Sequence, residues 1–196
     1  MWLFLSSIGE FRRGHLYGKG CFVHAFGDRY EGDFMHGYQH GEGKYTFADG
    51  GYYSGEYLNK KKNRQAFDAQ EFPINDGIRH GFGIRVFTNG NRYEGKYTKG
   101  YMDCSQSLLS KADGSKYEGG FRNGQKSGSG REEFGNMLDE DYTCPLGHKH
   151  AGHGYCIYEG TFERDFFHGD GVFTCADGRV YRGQYRNGKR HGKVWR

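Results

Sequence analysis

Ring-bearing and polar residues alternate at several places along the chain. Tyr30-Glu31-Gly32-Asp33-Phe34 is the clearest. In a strand, successive side chains point to opposite sides. Tyr30, Gly32 and Phe34 then share one face, and Glu31 and Asp33 the other. Tyr53, Gly55 and Tyr57 separate from Ser54 and Glu56 in the same way, and Tyr158, Gly160 and Phe162 from Glu159 and Thr161. One aromatic face and one polar face predict a half-solvated antiparallel sheet. The glycine between each pair of rings leaves a gap that neighbouring rings can lie across. After Phe34, "MHGYQHG" reads as a loop and "GKYTFADG" as a return strand. Asp49-Gly50, Asn89-Gly90, Asp113-Gly114, Asn123-Gly124, Asp177-Gly178 and Asn187-Gly188 are turn dipeptides that tolerate positive φ. Each such unit is one β-hairpin.

The pattern has a period. Phe11 and Phe34, Gly18 and Gly41, Tyr30 and Tyr53, and Tyr158 and Tyr181 each stand 23 positions apart. One unit reads Y-x-G-x-(F/Y)-x-x-G-x-x-H-G-x-G, then about six residues and a further glycine. Seven units fit. They start at Ser7 (in the Tyr position), Tyr30, Tyr53, Tyr93, Tyr117, Tyr158 and Tyr181, and the last covers about half a unit. Tyr53 to Tyr93 is 40 positions and Tyr117 to Tyr158 is 41, so insertions of 17 and 18 residues interrupt the array. They are placed at residues 60–76 and 138–157, and both are long for loops. Residues 193–196 read as a basic C-terminal tail. The fourth unit has "YMDCSQ" where the others have HGxG, which puts its tight turn in question.

"YEGDFMHGYQHGEG", "YEGTFERDFFHGDG" and "YRGQYRNGKRHG" resemble the MORN repeat (membrane occupation and recognition nexus) almost position for position. The resemblance covers nearly the whole chain apart from the two insertions. Tyr57, Tyr97 and Tyr185, like Phe11, Phe34, Phe121 and Phe162, stand where that family often has Trp. The expected fold is all-β: an elongated, twisted, single-layer antiparallel meander of tandem hairpins over residues 1–196. Fourteen strands at ~4.8 Å give a length on the order of 65 Å. No hairpin buries its rings alone, so stability is expected to be a nearest-neighbour sum along the array. The strands next to Trp2 and Trp195 read as open edges that recruit another chain.

Composition agrees. Gly is 35 of 196 residues and Pro only 2, while aromatics make up 17%. So many rings exclude a disordered chain, and 35% apolar content argues against a deep two-layered core. The net charge of +4 does not demand nucleic acid. The five cysteines, Cys21, Cys104, Cys144, Cys156 and Cys175, are irregularly spaced and read as reduced thiols of a cytoplasmic protein. "MWLFLSSI" lacks the basic start of a signal peptide. No apolar run reaches the length of a membrane span.

Catalytic signatures are lacking: there is no phosphate-cradling GxxxxGK followed by Ser or Thr (Tyr97 follows Gly90–Lys96) and no HExxH. His40, His80, His168 and His191 recur once per unit, so a repeat-level task is expected, hydrogen bonding across the loop. Cys144, His148, His150, His153 and Cys156 cluster in the second insertion. They are zinc-ligand types without finger spacing, and two readings stand, a zinc site and a His-rich polar loop. No metal, cofactor or enzyme activity is assigned. Lysine methyltransferases with a SET domain can carry such repeats, but here the repeats run to the last residue.

The resemblance implies a scaffold that docks partner proteins on its aromatic face, with a groove for a helix or peptide. Such proteins organise cytoskeletal and membrane-apposed assemblies, and a ciliary, radial-spoke-like setting in the axoneme is the leading expectation. The docking residues are Phe11 and the pairs Tyr30/Phe34, Tyr53/Tyr57, Tyr93/Tyr97, Tyr117/Phe121, Tyr158/Phe162 and Tyr181/Tyr185. Some of these are expected only to pack on each other, and a minority at the concave centre to touch the partner. The alternative is peripheral binding of anionic phospholipid. It would use Lys60, Lys61, Lys62 and Arg64 in the first insertion and Arg186, Lys189, Arg190 and Lys193 near the end, at about 1 kcal/mol per cation.

Overall fold

The structure is a computed structural model that describes residues 4–58, 77–135 and 156–195. Every regular element among them is a β-strand. In chain order they are β1 (Phe4–Arg12), β2 (His15–His24), β3 (Arg29–Met35), β4 (Tyr38–Thr46), β5 (Tyr52–Leu58), β6 (Ile78–Val86), β7 (Arg92–Thr98), β8 (Tyr101–Met102), β9 (Cys104–Ser110), β10 (Lys116–Arg122), β11 (Gln125–Phe134), β12 (Cys156–Glu163), β13 (Phe166–Thr174), β14 (Val180–Arg186) and β15 (Lys189–Trp195).

The chain forms two compact units, Met1–Thr88 with Lys96–Gly100, and Asn89–Gly95 with Tyr101–Arg196. In the first, β1 to β6 pair antiparallel, each with the next in sequence. In the second, β9 to β15 do the same. This is an array of sequential hairpins.

The expected turn dipeptides fall into two classes. Inside a hairpin the connection is two residues, both with positive φ: His36-Gly37 (55° and 81°), Asn123-Gly124 (50° and 80°) and Asn187-Gly188 (50° and 76°). That geometry matches the right-handed twist of the flanking strands. Between hairpins the loop is longer. There Asp49 Oδ1 accepts from the Gly51 N–H at 3.0 Å and Asp113 Oδ1 from the Ser115 N–H at 2.8 Å. The side-chain oxygen holds its own loop closed.

One expectation needs correction. The HGxG segment is not a loop but part of the return strand: β4 begins at Tyr38, directly after the two-residue turn. The register shows what the histidine-glycine pair does there. Gly32 faces Gly43, yet Asp33 faces His40, so Gly41 and Glu42 are two extra residues on β4. The same two-residue bulge occurs at Gly18, Gly81, Gly169 and Gly192. Gly41 needs its positive φ of 61° to make it. The facing acid makes a bond across the bulge. Asp33 Oδ2 accepts from the Glu42 N–H at 3.1 Å, and Glu56 Oε1 from the Phe82 N–H at 3.1 Å. The fourth unit keeps a positive-φ turn at Lys99-Gly100 but lacks the bulge glycine, and its return strand is broken at Asp103 into β8 and β9.

Candidate functional site

The ring-bearing face is built on a row of glycines. In the first unit Gly9, Gly20, Gly32, Gly43, Gly55 and Gly83 stand opposite one another from strand to strand. In the second unit Gly119, Gly130, Gly160, Gly171 and Gly183 do the same. Each leading tyrosine lies flat across this row. A Cβ on Gly43 would sit 2.2 Å from the Tyr30 hydroxyl oxygen, and one on Gly83 2.4 Å from that of Tyr53. One on Gly171 would sit 2.5 Å from that of Tyr158. The gap expected for neighbouring rings is therefore filled by the tyrosine of the same hairpin.

Lying down has a second consequence. The hydroxyl reaches past the glycines to a carbonyl three residues on: Tyr30 donates to Asp33 O at 3.0 Å, Tyr53 to Glu56 O at 3.1 Å, Tyr117 to Gly120 O at 2.9 Å and Tyr158 to Thr161 O at 3.0 Å. A buried hydroxyl needs such a partner. Burial pushes the Tyr30, Tyr53 and Tyr117 hydroxyls well above the usual tyrosine range, and those of Tyr97 and Tyr158 up to about 12.

The second ring of each unit stands on edge between two flat ones. Tyr57 meets Tyr30 at 5.2 Å and 88°, and Tyr53 at 5.2 Å and 87°. Phe162 meets Tyr117 at 5.0 Å and Tyr158 at 5.1 Å, again nearly perpendicular. These edge-to-face contacts contribute about 0.5–1.5 kcal/mol each beyond area burial. They link each hairpin to its neighbour.

This arrangement settles where the ring positions lie. Tyr30, Tyr53, Tyr93, Tyr117 and Tyr158 have no exposed surface, and Phe34, Tyr57, Tyr97, Phe121, Phe162 and Tyr185 are buried. Phe11, at 55% exposure, and Tyr181, half-buried, differ. Ser7 supplies no ring beside Phe11.

What covers the ladder is a repeat position that the sequence did not single out: the residue paired with the second ring of each unit across its hairpin. It is Leu16, Gln39, Arg79, Lys126, Phe167 or Arg190, according to the repeat. Phe167 stacks on Tyr158 at 3.9 Å. The Arg79 guanidinium lies 5.8 Å from the Tyr53 ring centre and 5.4 Å from that of Tyr97. The Lys126 ammonium lies 4.9 Å from Tyr117 and 5.7 Å from Phe162. Arg190 lies 4.8 Å over Tyr181. The signal for this position is its pairing with the second ring of the unit, visible only once the register across the hairpin is known.

Of the cations considered for an anionic surface, Arg186 and Lys189 face each other at the last hairpin and are exposed on the polar side, whereas Arg190 is on the ring side. Lys60, Lys61, Lys62 and Arg64 lie outside the described residues, as do the side chain of Lys193 and Cys144, His148, His150 and His153. Cys156 is buried in β12. Cys21, Cys104, Cys156 and Cys175 are free thiols. Among the described residues no group of three or more His, Cys, Asp or Glu side chains could hold a metal ion.

A sheet of sequential hairpins, with rings laid across a glycine row and one face left to single side chains, defines a β-repeat protein. The MORN repeat model matches residues 30–52, 75–92, 117–136, 158–178 and 181–193, and the chain is a MORN-repeat protein. Comparison with curated proteins gives no significant match. The first and fourth hairpins fall outside the matched segments. The first has Ser7 for the tyrosine and the fourth lacks HGxG, yet both form strands. MORN repeats form a non-catalytic repeat family whose members generally mediate protein or membrane interactions.

Proposed function

We propose that the chain is a non-enzymatic scaffold that docks partner proteins on its ring-bearing face, as a subunit of a cytoskeletal or ciliary assembly. The observation that carries this reading is the contrast between the ladder and its cover. The rings repeat without change of task, buried and mutually satisfied. The covering position runs through Leu16, Gln39, Arg79, Lys126, Phe167 and Arg190, so it is apolar, amide, cationic or aromatic from one hairpin to the next. Leu16, Gln39, Lys126 and Phe167 are themselves buried, so they and most ring positions hold the frame. The partner meets the half-buried Arg79 and the exposed Arg190 with the exposed Phe11 and the half-buried Tyr181.

A photo-crosslinking residue placed at Phe11 or Arg190 should capture partner proteins from the native cytoplasm, and the same residue at Glu42 or Glu118 on the polar face should not. Equal capture from both faces, or none from the ring face, refutes the reading. The ciliary setting is supported by the resemblance to repeat proteins of radial-spoke heads and cytoskeletal collars. A fluorescently tagged chain should distribute along axonemes, and a diffuse signal in ciliated cells refutes that part.

A further inference from the structure

Two hairpins in this chain carry the same pair of positions with opposite electrostatic outcomes. In the fifth repeat the covering residue is Lys126, and the residue facing the flat tyrosine across the hairpin is Glu132. Both are buried, and the Lys126 ammonium donates to Glu132 Oε1. Lys111 adds a second cation 3.6 Å from that oxygen. The repeat thus provides its own anion over Tyr117. In the third repeat the covering residue is Arg79, and the residue facing the flat tyrosine, Tyr53, is Arg85. The position that holds a carboxylate in one repeat holds a second guanidinium in the other.

Nothing among the described residues neutralises this pair. Neither arginine forms an ion pair with a described carboxylate. Arg85 Nε and Nη1 are buried with no hydrogen-bond acceptor, while its guanidinium lies 3.8 Å over Phe47. Burial and the Arg79 charge both lower its proton affinity. Asp49, a carboxylate that acts on Arg85 from a distance, is engaged by the Thr88 hydroxyl and the Gly51 amide. Tyr45 is committed to Asp28 at 2.6 Å. Gln39, Tyr45, Phe47, Tyr53, Tyr57, Gly77 and Arg79 line a cavity of about 230 Å³; Arg79 is the one charged residue of that lining, and Arg85 is not part of it. Two like charges close together and partly buried are unfavourable, and an anion in the cavity pairs with Arg79 and offsets its repulsion on Arg85. The guanidinium fork matches a carboxylate bidentately.

We propose that this cavity binds a single carboxylate side chain, flanked by apolar residues, of a partner peptide, and that it occupies the place Glu132 takes in the fifth repeat. The cavity is below the roughly 300–1,000 Å³ typical of small-molecule sites, which suits one side chain. The concave, ring-lined wall around Arg79 suits a penetrating acid and not a flat charged surface. The aromatic lining suits an apolar neighbour on either side of the acid. The inference rests on the docking reading above only for the partner's being a protein.

The test uses the whole chain, ¹⁵N-labelled, observed through the arginine Nε–Hε signals. The probes are two capped pentapeptides, one with glutamate between two phenylalanines and one with glutamine there. The glutamate peptide should shift the Arg79 signal saturably, with a smaller shift at Arg85, and bind roughly tenfold tighter than the glutamine peptide, the worth of one charge-assisted contact. Arg79→Gln should remove that preference. Because that variant could fold poorly, Arg85→Glu is the second test. It recreates the fifth repeat's internal pair, so it should raise the melting temperature and abolish peptide binding together. Equal titration by both peptides, or Arg85→Glu binding as the natural chain does, overturns the site. Vesicles of anionic phospholipid that shift both signals where the peptide does not reassign it to a membrane and overturn it as well. If Arg85→Glu leaves crosslinked partners unchanged, the site fails while docking stands. If the peptide binds but no partner is crosslinked, docking fails while the site stands.

Discussion

Gly43 is the position where the frame is most easily broken. In Gly43→Ala the new methyl carbon would stand 2.2 Å from the Tyr30 hydroxyl oxygen and 2.5 Å from its Cζ. The backbone cannot yield, because Gly43 is paired with Gly32 on one side and Gly55 on the other. The Tyr30 ring must therefore tilt out of its seat. Doing so weakens the bond to Asp33 O, about 0.5–1.5 kcal/mol, and the contacts with Phe34 and Tyr57, about 0.5–1.5 kcal/mol each. Overpacking of this kind costs about 1–3 kcal/mol in well-packed cores. We expect about 2–4 kcal/mol, felt mainly in β3, β4 and β5. Native-state hydrogen exchange of those amides is the suitable assay, because a repeat array need not unfold as one unit. The double variant Tyr30→Ala/Gly43→Ala supplies the decisive number. With the ring gone the methyl group has room, so the second substitution should cost almost nothing in the first background. Effects that add to within about 0.5 kcal/mol would show that the two groups do not meet and would refute the reasoning. Gly20→Ala should be milder, because no tyrosine lies over it and its nearest neighbours, the Ile8 carbonyl oxygen at 3.0 Å and the edge of Phe34 at 3.2 Å, stand farther off.

Removing one member of the buried Lys126–Glu132 pair, as in Glu132→Gln, should destabilise the fifth hairpin by about 3–5 kcal/mol, whereas Lys126→Met/Glu132→Leu together should be close to neutral in urea unfolding. The buried Tyr97 and Tyr158 hydroxyls hold their proton in the folded chain above the value of the unfolded chain, so their contribution to stability is complete below pH ~10 and is lost as pH rises through about 12. Tyrosinate absorbance at 295 nm should therefore appear late and coincide with loss of sheet signal by circular dichroism. His24 has the opposite sign. It is buried and packed against Phe22 and Phe26, and burial lowers its proton affinity. Its contribution is present above pH ~6.5 and lost below, and His24→Phe should flatten that acid limb of the melting temperature.

The sequence by itself determined the period, the hairpin as the unit and the division of each outgoing strand into a ring side and a polar side. These are legible because alternation within one strand is a local property: Tyr30, Gly32 and Phe34 share a face whatever else the chain does. The tertiary structure decided the rest. HGxG could not be read as strand, because two unpaired residues at a bulge look like a loop until the facing strand is in place, and Gly41 with Glu42 is such a case. That Gly32 and Gly43 form a seat for Tyr30 depends on register across the hairpin, which no single segment contains. The bulge adds two residues, an even number, so the side chain after the turn and the one six positions later return to the ring face. Only there do Lys126 and Glu132 close on each other, and only there do Arg79 and Arg85 share a face with no described acid paired to either. The charges are written in the chain, but whether they neutralise or oppose is set by which strand positions the fold brings together.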